Sequence, residues 1–257
     1  MKLSIITINL NNQDGLRKTI ESAISQTFTD FEYIVIDGAS TDGSVDIIEA
    51  YADRITYWIS EPDKGIYNAM NKGILQAKGE YCLFLNSGDW LIKNNVLEIV
   101  FRQDNNTDLI IGRLHQKHNN IRGIIKKEPG ESLRFSDFYI ASLLHPCTFI
   151  KRNLFERVGL YDENYRIVSD WLFFLLSVVN NHSSYSFLNT QVSDIQTNGI
   201  SSIDVDRMLE ERTRVLYKYF PCFIEDYKDY FLYKNSRTLS RMKELISWIT
   251  KLRKKYK

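Results

Sequence analysis

Hydrophobic residues in the first 90 positions occur as short unbroken runs, and the stretches between them carry apolar residues at helical spacing. Unbroken apolar runs of this length are typical of strands buried on both faces of a parallel sheet. The pattern predicts four such strands, at 3–8, 31–36, 55–59 and 80–85, and helices at 13–26, 44–51 and 66–77. Alternating strands and helices predict an α/β fold with a mostly parallel sheet and right-handed crossovers.

Each of the four predicted strands is followed by a small polar loop. The loops contain Asn9, Asp37, Asp63 and Asp89 in turn. The carboxyl ends of parallel strands lie at one edge of the sheet, where α/β proteins bind ligands. Surface loops are polar in any protein, so each of these residues alone is uninformative. Their recurrence at strand ends favours a ligand cleft over ordinary turns.

Beyond residue 90 the pattern is less regular. It predicts a strand at 108–112, a candidate hairpin of 114–117 with 121–127, a short strand at 145–150, helices at 151–158 and 168–180, and a strand at 185–188. The segment 190–202 is polar and is predicted to be a long loop, and the pattern from 203 onward is helical.

The chain has 257 residues and a formal net charge of +1, which conceals an uneven distribution. Residues 235–257 contain eight basic residues and one acidic residue, a net charge of +7, so the remainder carries −6. A mildly acidic body argues against a nucleic-acid partner, and the basic end points to an anionic surface near the C-terminus.

The cysteines and the apolar runs bear on the cellular setting. Cys82 lies in a predicted buried strand and Cys147 beside another, which indicates reduced core residues of a cytoplasmic protein. No cysteine–histidine cluster has the spacing of a zinc site. Met1 leads directly into strand residues, so we expect no signal peptide. The longest apolar run, 171–179, is too short to span a membrane.

Five segments, in this order, resemble family 2 glycosyltransferases of the GT-A fold. LSIITINLNN, EYIVIDGASTDGS, EPDKGIYNAMNKGI and GEYCLFLNSGD resemble the nucleotide-sugar-binding half, and HPCTFIKRNLFERVGLYDENYRIVSDW resembles the acceptor half. The resemblance implies a GT-A (Rossmann-like) α/β fold, in which a mostly parallel central sheet has flanking helices. It implies an inverting enzyme that moves a sugar from a nucleoside diphosphate, with UDP expected, to a glycan or lipid-linked acceptor. It also implies a divalent metal, Mn²⁺ or Mg²⁺, and a role in bacterial surface-polysaccharide assembly.

The resemblance also assigns roles to individual residues. Asp170 matches the catalytic base, and Asp89 matches the last carboxylate of the metal-binding DxD motif. Asp37 matches a residue that contacts the base or ribose, and His145 one near the donor phosphates. The remaining donor-binding positions implied in this way are Thr7, Asn9, Lys64, Asn71, Ser87, Gly88, Asn198, Gly199 and Ser201.

One position departs from the family pattern. Ser87 stands where the family has the first Asp of DxD. A single carboxylate, completed by diphosphate oxygens and water, can still hold Mg²⁺ or Mn²⁺. We therefore expect weak metal affinity in the absence of donor.

Each candidate also has an ordinary structural interpretation. Asp89 could cap a helix beginning at Leu91, and Asp170 could be an N-terminal helix carboxylate. Asp37 could be a turn former, and His145 a satisfied core residue. Single aromatic residues beside strands, here Tyr67, Trp90 and Trp171, are more often core than sugar-stacking residues.

The resemblance divides the chain into a nucleotide-sugar-binding half at 1–112, an acceptor-binding half at 113–202 and a C-terminal helical extension at 203–257. An amphipathic helix is predicted at 237–254 within the basic end. It could pack on the body or lie on anionic lipid, which would place the enzyme on the inner face of the membrane.

Two other functions compete with this one. A sugar nucleotidyltransferase would need a Gly-rich basic phosphate loop near the N-terminus, and residues 9–14 contain neither a Gly-rich run nor a Lys or Arg. A non-catalytic nucleotide-sugar-binding protein is favoured only by Ser87.

Overall fold

The structure is a computed structural model and describes residues 1–103, 105–115, 117, 123–196 and 204–226. The chain divides into two compact units, Met1–Asp204 and Val205–Lys257. The first unit is an α/β structure built on one sheet. In the second unit the structure describes helix α8, Val205–Tyr219.

An eight-stranded sheet forms the centre of the first unit, in the order β3-β2-β1-β4-β7-β6-β8-β5. Neighbours are parallel in the β3-β2-β1-β4 half and between β6 and β8, while β7 and β5 are antiparallel to their neighbours. The strands are β1 Leu3–Asn9, β2 Phe31–Asp37, β3 Tyr57–Ser60, β4 Tyr81–Phe84, β5 Trp90–Leu91, β6 Leu109–Leu114, β7 Thr148–Lys151 and β8 Tyr185–Asp194. The predicted α/β fold with a mostly parallel sheet is confirmed.

Helices connect and flank the strands. They are α1 Gln13–Ile24, α2 Ser44–Ala50, α3 Ile66–Gln76, α4 Val96–Phe101, α5 Phe135–Ile140, α6 Leu154–Val158 and α7 Ser169–Leu175. A π-helical turn, Leu176–Asn180, continues α7, so the predicted helix at 168–180 changes its hydrogen-bonding pattern halfway. No helix in the described ranges is long and apolar enough to cross a membrane.

Two predictions of local structure and one alternative interpretation were wrong. The segment 190–202 was predicted as loop, but β8 continues to Asp194 because Val192 and Ser193 are buried and paired with other strands. Among the described residues of the candidate hairpin of 114–117 with 121–127, Leu114 pairs with Ser193 and Ile124 with Ser142, so these two residues do not pair across a hairpin. Leu91 lies in β5, and no helix begins there.

Some predictions fall on residues that the structure does not describe. The amphipathic helix at 237–254 is one of them, and the loop residues Asn198, Gly199 and Ser201 are the others. Among the cysteines, Cys82 and Cys147 are buried, as predicted, and Cys222 is exposed.

Helix α3 packs closely on the sheet at Gly73. A Cβ atom at this position would lie 2.4 Å from Cγ2 of Ile6, a fully buried residue of β1. The β-branched isoleucine has little rotamer freedom, so it cannot turn aside. Gly73 therefore sets how near α3 approaches β1 and, with it, where the side chains of α3 lie.

Replacing Gly73 with alanine is expected to destabilise the protein by about 1–2 kcal/mol. Overpacking costs roughly 1–3 kcal/mol, and the better helix propensity of alanine offsets at most ~1 kcal/mol of it. Urea unfolding followed by circular dichroism measures the change. Leu75→Ala on the same helix is the control, because Leu75 is 71% exposed and its loss should be nearly neutral. A Gly73→Ala protein as stable as wild type would show that α3 can move off β1 freely.

Candidate active site

The polar ends of β1, β2 and β3 converge on the carboxylate of Asp37. Its Oδ1 accepts hydrogen bonds from Asn9 Nδ2 at 2.7 Å and Ser40 Oγ at 2.6 Å. Its Oδ2 accepts from the backbone N–H of Ser40 at 2.9 Å and from Ser60 Oγ at 2.6 Å. The polar residues at the ends of β1, β2 and β3 therefore meet at one edge of the sheet, as predicted for successive strands.

Asp37 is fully buried, and all its bonds are internal. Burial alone would raise the pKa of Asp37, but the hydrogen bonds from Ser40, Ser60 and Asn9 outweigh it and hold the pKa below its ordinary value. The amide oxygen of Asn9 is buried and has no partner among the described residues. Asp37 thus holds the strand ends together, while Asn9 Oδ1 is left to accept a further hydrogen bond.

The turn after β4 is fastened to helix α1. Thr19 Oγ1 donates to the carbonyl of Asp89 at 2.6 Å and accepts from the N–H of Gly88 at 3.0 Å. Asn12 Nδ2 donates to the carbonyl of Ser87 at 2.8 Å. Gly88 has φ 101°, a conformation that glycine adopts without strain. Because helix α4 begins only at Val96, the interpretation of Asp89 as a helix cap is excluded.

His145 lies between two carboxylates. Its Nδ1 is 3.3 Å from Oδ2 of Asp170, and its Nε2 is 3.7 Å from Oδ2 of Asp89. Burial alone would lower the pKa of His145, but the hydrogen bond with Asp170 and the nearby carboxylate of Asp89 raise it to about 9. The imidazole is therefore a cation at neutral pH.

Asn86 completes the surroundings of the imidazole, with its side-chain amide 3.2 Å from Nε2 of His145. The nearest atom of that amide is the nitrogen, Nδ2, while the amide oxygen of Asn86 is buried without a partner among the described residues. Exposure of the three charged side chains is low but not zero: 13% for Asp89, 20% for His145 and 19% for Asp170. The cluster is therefore largely buried but still reachable from solvent.

Asp170, in the first turn of α7, is also bonded to Tyr67 of α3. The hydroxyl of Tyr67 lies 2.8 Å from Oδ1 of Asp170 and 2.6 Å from the carbonyl oxygen of Ile167. Burial alone would raise the pKa of Asp170, but the bonds from His145 and Tyr67 hold it below its ordinary value. Asp170 is therefore an ionised carboxylate with fixed orientation, which is what a general base requires.

Three other predicted donor-binding residues lie outside the cluster of Asp89, His145 and Asp170. Thr7 is fully buried and its hydroxyl is 2.9 Å from that of Tyr33. The amide of Asn71 is bonded to the backbone of Tyr161 and to Glu163, and so joins α3 to the segment before α7. Lys64 is exposed in the loop after β3. Thr7 and Asn71 thus support the site from within.

The tryptophan side chains are largely occupied. The ammonium group of Lys18 lies 3.0 Å from the ring centroid of Trp90. Trp171 is buried and donates from Nε1 to the carbonyl of Phe138 at 2.9 Å. The rings of Trp171 and Tyr67 are both buried, which agrees with the more ordinary interpretation that they pack in the core.

The fit of a divalent metal depends on Asp89. In the described ranges no group of three or more His, Cys, Asp or Glu side chains is arranged to hold a metal ion. Asp89 is a single, largely buried carboxylate, with the cationic His145 on one side. This donor set fits a Mg²⁺ or Mn²⁺ ion that takes its other ligands from a diphosphate and water, and it does not form an all-protein cage.

Four residues of the site were not predicted from the sequence. Asn12 and Thr19 position the turn after β4, Asn86 faces the imidazole, and the Tyr67 hydroxyl reaches Asp170. Asn86 had a usable signal, because it is the first polar residue after β4. The other three act through contacts between elements far apart in sequence, which no local pattern reports.

Comparison with known proteins identifies the family. The sequence profile described as "Glycosyl transferase family 2" matches residues 4–159, more than half of the chain. The chain is 28% identical over 216 residues to a "PGL/p-HBAD biosynthesis glycosyltransferase" of Mycobacterium bovis BCG, covering 81% of this chain and 82% of that protein. It is 32% identical over 211 residues to an uncharacterised glycosyltransferase of Rickettsia typhi, covering 76% of this chain and 65% of that protein.

Solved structures share the fold. Residues 1–349 of TarS from S. aureus, in complex with UDP-GlcNAc, match with a TM-score of 0.64 and 21% identity, over 77% of this chain and 60% of that one. The mannosyltransferase PcManGT from Pyrobaculum calidifontis, in complex with GDP-Man and Mn²⁺, matches with a TM-score of 0.65 and 14% identity, over 84% of this chain and 63% of that one. The chain thus spans about three-fifths of each of these structures. With the matched profile and this architecture, the chain belongs to glycosyl transferase family 2 and is a glycosyltransferase of the GT-A fold.

Proposed function

We propose that this glycosyltransferase moves a sugar from a nucleoside diphosphate, UDP first among the candidates, to an acceptor hydroxyl with inversion at the anomeric carbon. The observation that carries the proposal is the arrangement of Asp89 and Asp170 on opposite sides of His145. One carboxylate lies beside the turn expected to hold the diphosphate, and the other is oriented to take a proton. Inverting transfer in one step needs these two functions and no covalent intermediate.

The donor is proposed to lie along the carboxyl ends of β1, β2 and β4. Asn9 supports this placement, because a buried amide oxygen without a partner is rare in folded proteins and calls for a ligand or water. Structures of the same fold bind UDP-GlcNAc and GDP-Man, which supports a nucleotide-sugar donor. Lys64, Ser87 and Gly88 remain proposed donor contacts. Asn198, Gly199 and Ser201 are proposed to contact the diphosphate from the segment after β8.

In the proposed step the acceptor oxygen forms a bond to the anomeric carbon as its proton passes to Asp170. The bond between that carbon and the diphosphate oxygen breaks, and the diphosphate leaves with the electron pair. His145 holds Asp170 in orientation through Nδ1 and places a positive charge towards the phosphate side of the cleft. Tyr67 orients the other carboxylate oxygen.

Asp89 is proposed to hold Mg²⁺ or Mn²⁺ together with the diphosphate. When bound, the ion supplies a Lewis acid that neutralises charge on the leaving group. The mannosyltransferase structure with GDP-Man and Mn²⁺ supports a divalent ion in this fold.

The acceptor is proposed to be a glycan or lipid-linked sugar of a bacterial surface polysaccharide, bound by the 113–202 half, while 1–112 binds the donor. The basic segment 237–257 is proposed to contact anionic lipid on the cytoplasmic side of the membrane. A non-catalytic nucleotide-sugar-binding protein is the second candidate, favoured by the single carboxylate available for a metal.

Asp170→Asn is expected to lower the rate of donor turnover about 10²–10⁴-fold, the usual contribution of a general base, and to leave donor affinity unchanged. Release of nucleoside diphosphate measures turnover, and calorimetry measures affinity. Asp206→Asn is the matched control, because Asp206 is also a first-turn carboxylate, on α8. A wild-type protein that binds donor but never turns it over would favour the non-catalytic candidate.

Calorimetric titration of UDP, GDP and CDP, each with and without Mn²⁺, tests the donor and the metal together. We expect UDP to bind most tightly and its binding to weaken when the metal is chelated. Asp89→Asn should remove the metal-dependent part of the binding, whereas the exposed Asp14→Asn should not. Metal-independent binding in the wild type would mean that cationic side chains neutralise the diphosphate. The absence of binding by all three nucleotides would contradict the proposed function.

Tyr67→Phe is expected to lower kcat about tenfold with little change in donor affinity, because Asp170 loses one of the bonds that orient it. Tyr161→Phe is the matched control. The two rings pack together with centroids 5.6 Å apart, but the buried hydroxyl of Tyr161 has no partner among the described residues. Equal losses in the two variants would show that Tyr67 acts through packing alone.

A further inference from the structure

A cavity lies at the carboxyl end of β6. It has a volume of about 140 Å³ and is lined by the end of β6, the segment 124–131, the turn containing His145 and one residue of β8. Its apolar lining comes from Ile111, Leu114, Ile124, Leu144, Cys147 and Phe187, and charged residues, among them Arg113, Lys127 and Glu128, line the rest.

The position of the cavity connects it with the proposed reaction. β7 is antiparallel to both β4 and β6, so the carboxyl ends of β4 and β6 lie at the same edge of the sheet. The turn with Asp89 follows β4, and the cavity lies at the end of β6. Leu144 directly precedes His145 and Cys147 follows two residues later, so the cavity wall and the charged cluster share one turn of the chain.

The charged side chains that line the cavity are largely paired. Arg113 forms an ion pair with Glu128 at 2.5 Å, and Lys127 forms one with Asp137 at 3.1 Å. Paired charges leave little net field for an ionic ligand, whereas the apolar walls favour an uncharged apolar group. Dry apolar cavities of about 150 Å³ are large enough to take a benzene ring.

We infer that this cavity binds an uncharged apolar group carried by the acceptor, the size of one ring or a short acyl chain, while the acceptor hydroxyl is presented to Asp170. The inference rests on the proposed function and adds a substrate class to it. On this inference, the protein selects its acceptor by the apolar group as well as by the sugar.

Phenyl and methyl β-D-glucopyranoside are suitable probes, since they differ only in the group that would enter the cavity. Binding to the full chain is measured by ligand-observed NMR in the presence of UDP and Mn²⁺. We expect the phenyl glucoside to bind about tenfold more tightly, because burying roughly half of a ring's apolar surface is enough for that preference.

Ile124→Trp should abolish the preference by filling the cavity from its half-exposed rim. The backbone beside it is held by the bond from Ile125 N–H to the carbonyl of Ser142, which the substitution does not touch. Ile140→Trp is the matched control, because Ile140 is 56% exposed on α5, outside the cavity walls. Ile124→Phe, a smaller addition, is tested in parallel in case the tryptophan variant fails to fold.

Equal affinity of the wild type for the two glucosides would overturn the inference. So would a phenyl preference that persists in both folded Ile124 variants, since the ring would then bind elsewhere. UDP titration of the same samples separates the two proposals. A protein that keeps the Ile124-dependent phenyl preference but binds no nucleotide would support the cavity as an apolar site and contradict the proposed function.

Discussion

The edge of the sheet at the ends of β1, β2 and β3 depends on one buried carboxylate. Asp37 has no contact with water, and a buried charge is tolerated only when its acceptor positions are filled. Asn9, Ser40 and Ser60 fill them, and each comes from a different strand end or the loop beside it. Removing one of these hydrogen-bond donors would leave part of the charge of Asp37 uncompensated. The ends of β1, β2 and β3 must therefore lie side by side. This requirement gives the sheet a defined edge on which a ligand can lie.

A second charge joins the two halves of the site. His145 is positive because Asp89 and Asp170 both face it, and the two carboxylates are kept apart by the imidazole between them. The direction of β7 makes this possible. β7 runs antiparallel to β4, so the turn that precedes β7, which contains His145, lies at the carboxyl end of β4. Both carboxylates are thereby held in a fixed orientation, and in the proposed reaction this would reduce the reorganisation that transfer requires.

Several polar residues near the site hold other parts of the protein in place and are not proposed to react. Thr19 is used to hold the turn after β4, and Asn71 to hold the segment that leads to α7. The polar side-chain atoms of Thr19 and Asn71 are already engaged in these contacts. Their contacts limit the freedom of the elements that carry Asp89 and Asp170, and the proposed mechanism needs this because a displacement of about 1 Å is enough to impair transfer.

The sequence by itself determined the alternation of strands and helices, the parallel half of the sheet and the polar strand ends, because these depend on periodicity and turn chemistry within a few residues. Together with the order of five motifs, it also indicated the family. Only the tertiary structure decided that β8 runs on to Asp194, that Leu91 lies in a strand and that Tyr67 bonds to Asp170. Each of these depends on a partner many residues away, and the free energy of such pairing has no signature in the local pattern of hydrophobic and polar residues.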